Sequence, residues 1–356
     1  MTTLRARNRR KGAAQLVAGL ALATVAAAAS AAETKTLYIG MNGGDMERAF
    51  TQHVFPAFEK ANNVKVVVVP GTSTDVLAKA QAYKDNPQMH VMFLDDGIMS
   101  RAISMGLCQK LPDDPVLKDL FPTAIMKDGM AAGIDIGLTG LGYNTKMFEE
   151  NKWTPPTSWM DLADPKFKGK VVFQSAASSS FGLHAFLMLN RIQGGTEKDT
   201  EPGFKAWPTT VGPNVLEYIP NSAKVAEMAQ NGEAALFPLT PTAIARLKKR
   251  GLPVEYAQPK EGAVVLMVGE CVIAKNSEPE LANKLALYLL SPEAQAKALE
   301  FGGHFPSNRK VKPVAGEEAS FEKVQGFIEK SVVLDWDVIN ASRPAFNTRW
   351  NRSVER

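Results

Sequence analysis

Past Glu33 the chain alternates short apolar runs with polar loops and amphipathic stretches, and this alternation restricts its fold more than any other feature. 'TLYIG' reads as a strand, 'MNGGD' as a glycine loop, and 'MERAFTQHVFPAFEKAN' as a helix with Ala49, His53, Phe55 and Phe58 roughly on one face. 'VKVVVVP' is a fully buried strand, 'GTST' a loop, and 'DVLAKAQAYKDN' a helix with Thr74 or Asp75 as its cap. 'HVMFL' is a third strand, followed by the loop 'DDG' and the helix 'IMSRAISMG'. Strands separated by helices require right-handed crossovers, which predicts an α/β chain whose largely parallel sheet is covered on both faces.

A second α/β set follows 'GIDIGLTGLGYN', where glycines at 133, 137, 140 and 142 suit an extended crossing between domains. It holds the strand 'KVVFQ', a helix from Phe181, a Gly/Thr/Pro-rich excursion from Gly194 to Pro213, the helix 'SAKVAEMAQNG', and the strands 'AALFPLT' and 'VEYAQP'. The apolar 'AVVLMVGECVIAKN' reads as the return crossing. A chain of 356 residues is too long for one core. The predicted partition is therefore 33–136 with 268–310 as one domain, 137–267 as the other, and a helical C-terminal region, 311–356, packed on the body.

Residues 1–32 have the order of a secretory signal peptide: Arg5, Arg7, Arg9, Arg10 and Lys11, an apolar run from Ala13 to Ala29, then small residues ending at Ala32. Without them 36 Lys and Arg face 37 Asp and Glu, because the segment carries five cations and no anion. A nearly neutral product gives no basis for a nucleic-acid partner or an anionic-membrane partner. No later segment is long and apolar enough to cross a bilayer, so no membrane insertion is expected after cleavage. Cys108 and Cys271 are either one disulfide of an oxidising compartment or two buried thiols. His53, His90, His184 and His304 stand singly, so neither a metal site nor any other cofactor is expected.

In parallel sheets, ligands sit beyond the carboxyl ends of the strands. The loops there supply the candidate binding residues: Asn42, Gly43 and Asp45 after the first strand, and Thr72, Ser73 and Thr74 after the second. Asp95 and Asp96 follow the third as a possible cation anchor, Ser175, Ser178 and Ser179 follow 'KVVFQ', and Thr240 follows a later strand. One serine suffices to cap a helix, and the run from Gln174 to Ser180 holds four. Glu270, within the apolar return crossing, must have a ligand or an intramolecular partner, the latter being slightly favoured. Trp336 and Trp350 are expected to pack the C-terminal helix onto the body.

Several segments in the same order resemble the periplasmic solute-binding proteins of ABC importers, in particular the spermidine/putrescine-binding group: 'TSWMDLADPKFKGKVVF', 'AYKDNPQMHVMFLDDG', 'NGEAALF', the long stretch from 'PKEGAVVLMVGECVIAKN' to 'FGGHFPSN', and 'DWDVINASRPAFNTRWN'. The resemblance implies the type II periplasmic-binding-protein fold, a two-domain clamshell with two hinge crossings. It also implies capture of a small solute, delivery to an inner-membrane permease, and no catalysis; the chain is expected to act as a monomer. The family's polyamine binders place carboxylates and aromatic rings around the ligand. This chain has Ser175 and Ala176, Leu266 to Glu270, and Phe237 to Thr240 at the corresponding places. The leading expectation is a polyamine or related organic amine; a zwitterionic amino acid, a betaine or a small organic anion is the alternative, since helix N-termini and hydroxyls hold negative charge. A secreted α/β hydrolase, with His184 assisting a serine hydroxyl, is the remote one.

Overall fold

Two long strands carry the architecture of the computed structural model, which describes residues 34–220 and 222–355; the signal-peptide reading of residues 1–32 lies outside them. From Lys35 onward the chain forms one compact unit. Its strands are β1 Lys35–Met41, β2 Val64–Pro70, β3 Val91–Asp95, β4 Cys108–Gln109, β5 Ile125–Met126, β6 Ala131–Asn144, β7 Val171–Gln174, β8 Val215–Ile219, β9 Leu236–Leu239, β10 Val254–Ala257 and β11 Val264–Ile273. They form one sheet in the order β2-β1-β3-β11-β6-β9-β7-β8, with β4 beside β11 and β5 and β10 beside β6.

The outer groups β2-β1-β3 and β8-β7-β9 are parallel, as the alternation of strands and helices predicts. The middle is not: β11 runs antiparallel to both β3 and β6, and β6 antiparallel to β9. A chain that leaves one lobe and returns to it must pair its outgoing and incoming strands in opposite directions, so the sheet is mixed where the crossings lie. β6 pairs with β11 from Ala132 to Thr139, then with β9 and β10 from Gly140 to Asn144. One strand thus serves both lobes. Its glycines are packing positions: a Cβ at Gly140 would stand 2.2 Å from the Tyr256 hydroxyl, and one at Gly142 2.4 Å from the Phe237 ring.

Because successive strand residues point to opposite faces, each half of the sheet has two cores. In β3, Val91 and Phe93 enter one with Phe50, Phe55 and Leu285, while Met92 and Leu94 enter another with Val76, Leu77 and Met99. In β7, Val171 and Phe173 face Phe186, Trp207 and Trp350, while Val172 faces Phe237 and Ile244. Helices on both faces of both halves give the α/β clamshell of the type II binding-protein fold.

The last helix, Trp336–Ser353, touches both halves. Its start lies on helix Asp96–Ser104, where Asn340 Nδ2 donates to the Gly97 carbonyl at 2.8 Å and Ser100 Oγ to Asp337 at 2.6 Å. Its end buries Phe346 and Trp350 among Phe173, Phe186 and Trp207. Cys108 and Cys271 form a disulfide across β4 and β11, with Cα atoms 5.7 Å apart and a separation of 163 positions in sequence. The bond closes a loop that contains the second half of the sheet. Replacing both cysteines with serine should lower the unfolding free energy by as much as about 5 kcal/mol on the loop-entropy scale. Denaturant titration checks this, and an unchanged midpoint would mean that the bond does not form in solution.

Candidate functional site

The ends of β2, β3 and β7 converge with the last helix around a cavity of about 360 Å³. After β2, Thr72 accepts the Asp75 N–H at 3.3 Å and Asp75 accepts the Thr72 N–H at 3.0 Å, a reciprocal cap that starts helix Ser73–Ala82. Ser73 is buried, and its Oγ accepts the Asp95 N–H at 3.1 Å, so the loops after β2 and β3 are tied to each other. Thr72, Ser73, Thr74 and Asp95 all line the cavity.

The serine-rich stretch after β7 divides its hydroxyls between structure and cavity. Ser179 caps helix Ser180–Ile192, accepting the Phe181 N–H at 3.3 Å, and donates to Gln174 Oε1 at 3.0 Å. Gly182 lets the first turn rest on the end of β7, since a Cβ there would lie 1.9 Å from the Gln174 carbonyl oxygen. Ser178, exposed and 3.4 Å from the Pro220 carbonyl, and Ser180 line the cavity. Ser175 is buried and lines an adjoining groove that shares Ser178 and Asn347 with it.

The third wall is the last helix, whose Trp336, Asn340, Arg343 and Asn347 form a stripe at helical spacing along the cavity. Arg343 Nη2 donates to the carbonyls of Ala176 and Ala177 at 2.8 and 3.3 Å. Its Nη1 is buried with no partner among the described residues, as is Oδ1 of Asn347. Burial brings the Arg343 guanidinium down to about 10, and no carboxylate among the described residues pairs with it. Arg101, on the first-lobe wall, also lines the cavity.

Two adjacent acids in this wall differ. Asp96 is buried, and that burial, reinforced by the Asp95 charge, pushes its carboxyl up to about 8. The Trp336 ring covers the neighbouring Gly97, where a Cβ would come within 2.7 Å of it. Asp95 faces the cavity; burial raises its carboxyl, the Ser73 bond opposes the rise, and Asp135 adds to it.

The other expected residues lie elsewhere. Asn42 and Gly43 precede helix Asp45–Ala49, and Asp45 pairs with Arg48 at a separate cavity lined also by His53 and Phe301. Thr240 is buried as the cap of helix Pro241–Lys249, accepting the Ala243 N–H at 3.1 Å. Glu270 is fully buried in β11 between Phe93 and Ala132, and neither carboxylate oxygen has a partner among the described residues. The intramolecular partner expected for it is not formed among the described residues, and burial raises its carboxyl well above the ordinary value.

The histidines lie apart, and none meets a serine of the β7 loop. His53 stacks on Phe301, His90 accepts the Tyr38 N–H at 2.9 Å, and His304 meets Asp135 at 2.7 Å. His184 meets Thr139 Oγ1 at 2.8 Å and is held neutral by burial, which with nearby Arg343 lowers it to about 3. The pairing of His184 with a hydroxyl of the β7 serine loop, on which the hydrolase reading rested, is not formed: its hydroxyl partner is Thr139, and the other histidine–hydroxyl contact, His90 Nε2 to Ser277 Oγ at 3.1 Å, lies away from that loop. No cluster of His, Cys, Asp and Glu among the described residues could hold a metal ion. What the cavity offers is a pair of guanidinium groups, one carboxylate, amides and hydroxyls: a recognition surface. Sequence reasoning missed Arg343, Asn340, Asn347 and Arg101; the stripe at 336, 340, 343 and 347 was visible, but only the packing role of its tryptophan was read from it.

Residues 54–323 match the family model of bacterial extracellular solute-binding proteins. The chain is 25% identical over 351 residues to a periplasmic protein of Salmonella typhimurium provisionally named for 2-aminoethylphosphonate binding, covering 94% of this chain and 98% of that one. It is 24% identical over 327 residues to the spermidine/putrescine-binding periplasmic protein of Escherichia coli, covering 88% and 89%. A solved ABC-transporter structure from Clostridium perfringens superposes with a TM-score of 0.79 at 21% identity, covering 89% of this chain and 99% of that one. These relatives are binding proteins, not enzymes.

The buried Asp96 makes a pH prediction. Its folded value, about 8, exceeds the unfolded 3.8, so the native state keeps a proton that the unfolded chain loses, and stability declines as pH rises through that window. The slope is at most about 1.4 kcal/mol per pH unit for one proton. Asp96→Asn should therefore gain stability relative to the unmodified protein between pH 5 and 8, measured by denaturant unfolding. Parallel pH profiles would disprove the assignment.

Proposed function

The chain belongs to the bacterial extracellular solute-binding protein family, and from that premise we propose that it is a periplasmic receptor for a small organic solute carrying an oxyanionic group, which it delivers to the permease of an ABC importer. The observation that carries the anionic half is Arg343: a guanidinium fixed by two backbone carbonyls, without a carboxylate partner, lining a cavity among hydroxyls and amides. A buried cation with an unpaired N–H is costly, and a bound oxyanion removes that cost. Export fits the basic–apolar–small order of residues 1–32 and the disulfide, which oxidising compartments sustain.

Closure follows from the same arrangement. Asp95 and the hydroxyls of residues 72–74 stand on one wall, Ser178 and Ser180 on the other, and a solute touching both favours the closed state by its differential affinity. A polyamine is the second reading: Asp95 and the Trp336 ring suit an ammonium group, and the Escherichia coli relative is named for such ligands. It would, however, set ammonium groups against Arg101 and Arg343.

A thermal-shift panel of phosphonates, carboxylates, betaines and polyamines decides between them. A ligand at a hundred times its Kd should add about 2.7 kcal/mol to the native state. The expected result is a shift by an oxyanion that Arg343→Gln reduces to that of buffer. A shift by polyamines alone, unchanged in Arg343→Gln, would overturn the reading.

A further inference from the structure

The cavity has unanswered charge of both signs. Asp135, the acid across β11 from Asp95, is bonded to His304 at 2.7 Å, and Asp96 is sealed beneath Trp336 and Gly97. Asp95 alone of the three lines the cavity, and no Lys or Arg among the described residues forms an ion pair with it; Arg101, on the same wall, makes none either. Arg343 is held against the opposite wall by the carbonyls of Ala176 and Ala177. An unpaired carboxylate on the first wall and an unpaired guanidinium at the second call for a guest that carries an ammonium at one end and an oxyanion at the other.

We propose that the solute is a short aminoalkyl oxyanion, its ammonium received by Asp95 with the hydroxyls of Thr72 and Thr74, and its acid head by Arg343 and Asn347 with Ser178 and Ser180. This rests on the oxyanion reading above and adds the amine. Each end binds a different wall, so a solute with one charged group satisfies one wall and leaves the other with a desolvated, unpaired charge. Asp95 is thereby a specificity residue: it separates amino acids and aminophosphonates from the corresponding plain acids. With two guanidinium groups against one carboxylate, the cavity also suits an acid head that carries more than one negative charge.

Titration calorimetry on the full mature chain tests this with four probes: 2-aminoethylphosphonate, ethylphosphonate, 3-aminopropionate and propionate. Each amino compound should bind about ten to a hundred times more tightly than its amine-free counterpart, the span expected for one charge-assisted contact. Asp95→Asn should erase that preference by weakening only the amino compounds, whereas Arg343→Gln should weaken all four. Tighter binding of the phosphonate or of the carboxylate pair identifies the acid head and supports the proposal in either case. Equal affinity of the amino and amine-free partners for the unmodified protein would overturn the amine assignment while leaving the oxyanion receptor standing. Absence of binding by all four at millimolar concentration would overturn both. The comparison on unmodified protein needs no variant, so a misfolded Asp95→Asn would not remove the test.

Discussion

Everything in this molecule hangs from the antiparallel pairing of β6 with β11, from Thr139–Val264 to Ala132–Glu270. The parallel strands of one half extend from the β11 side and those of the other from the β6 side. The pair is therefore at once the centre of the sheet and the connection between two lobes. A β-bulge at Val268 and Gly269 interrupts its register beside Asp135, and Val268 also faces Asp95 across β3. Bulges sharpen local twist, so Asp135 within β6 and Asp95 at the end of β3 flank an irregular point in the pair that joins the lobes. The disulfide from β4 to β11 fastens the returning strand to the first half at its far end.

Connection by strands alone would leave the lobes free to turn about the crossings, and the last helix adds a third tie of another kind. Its first turns hold to helix Asp96–Ser104 through Asn340 and Asp337, and its later turns are sunk in an aromatic core around Trp350. A hydrogen-bonded surface contact is weaker than a buried tryptophan, whose truncation costs about 3–5 kcal/mol in typical cores. When the lobes separate, the helix should stay with the second lobe and release the first. Trp336, which covers Gly97 and Asp96, would then leave the acid wall.

Sequence alternation was enough for the α/β class, both crossings, and the convergence of residues 72–74, Asp95 and Ser178 on one cavity, because period-two and period-3.6 patterns report burial directly. It was not enough for direction: a fully apolar run such as Val264 to Val268 reads the same in a parallel or an antiparallel sheet, so the mixed centre was invisible. Hydroxyl roles were also undetermined. Ser179 and Thr240 are caps and Ser178 is not, though all three are short polar residues between a strand and a helix. Glu270 shows a different limit. A carboxylate in an apolar run predicts a partner, whereas Glu270 has none among the described residues and burial raises its carboxyl well above the ordinary value; protonation relieves the cost of a buried charge when nothing nearby can pair with it.

The stripe of residues 336 to 347 lies beyond the segment, residues 54–323, that matches the family model. That separation has a physical basis. Strands β1 to β11 must satisfy one another's hydrogen bonds and fill four cores, so few of their positions can change without disturbing the sheet. The helix that walls the cavity is held by Phe346 and Trp350 in their apolar socket and by hydrogen bonds at its start. Of its cavity-facing positions, Asn340 and Arg343 also tie the helix to the carbonyls of Gly97 and of Ala176 and Ala177, while Asn347 keeps its Oδ1 without a partner among the described residues. The cavity therefore draws its lining from both regions: residues 72–74, Asp95, Arg101, Ser178 and Ser180 come from the matched segment, and Trp336, Asn340, Arg343 and Asn347 from the helix beyond it.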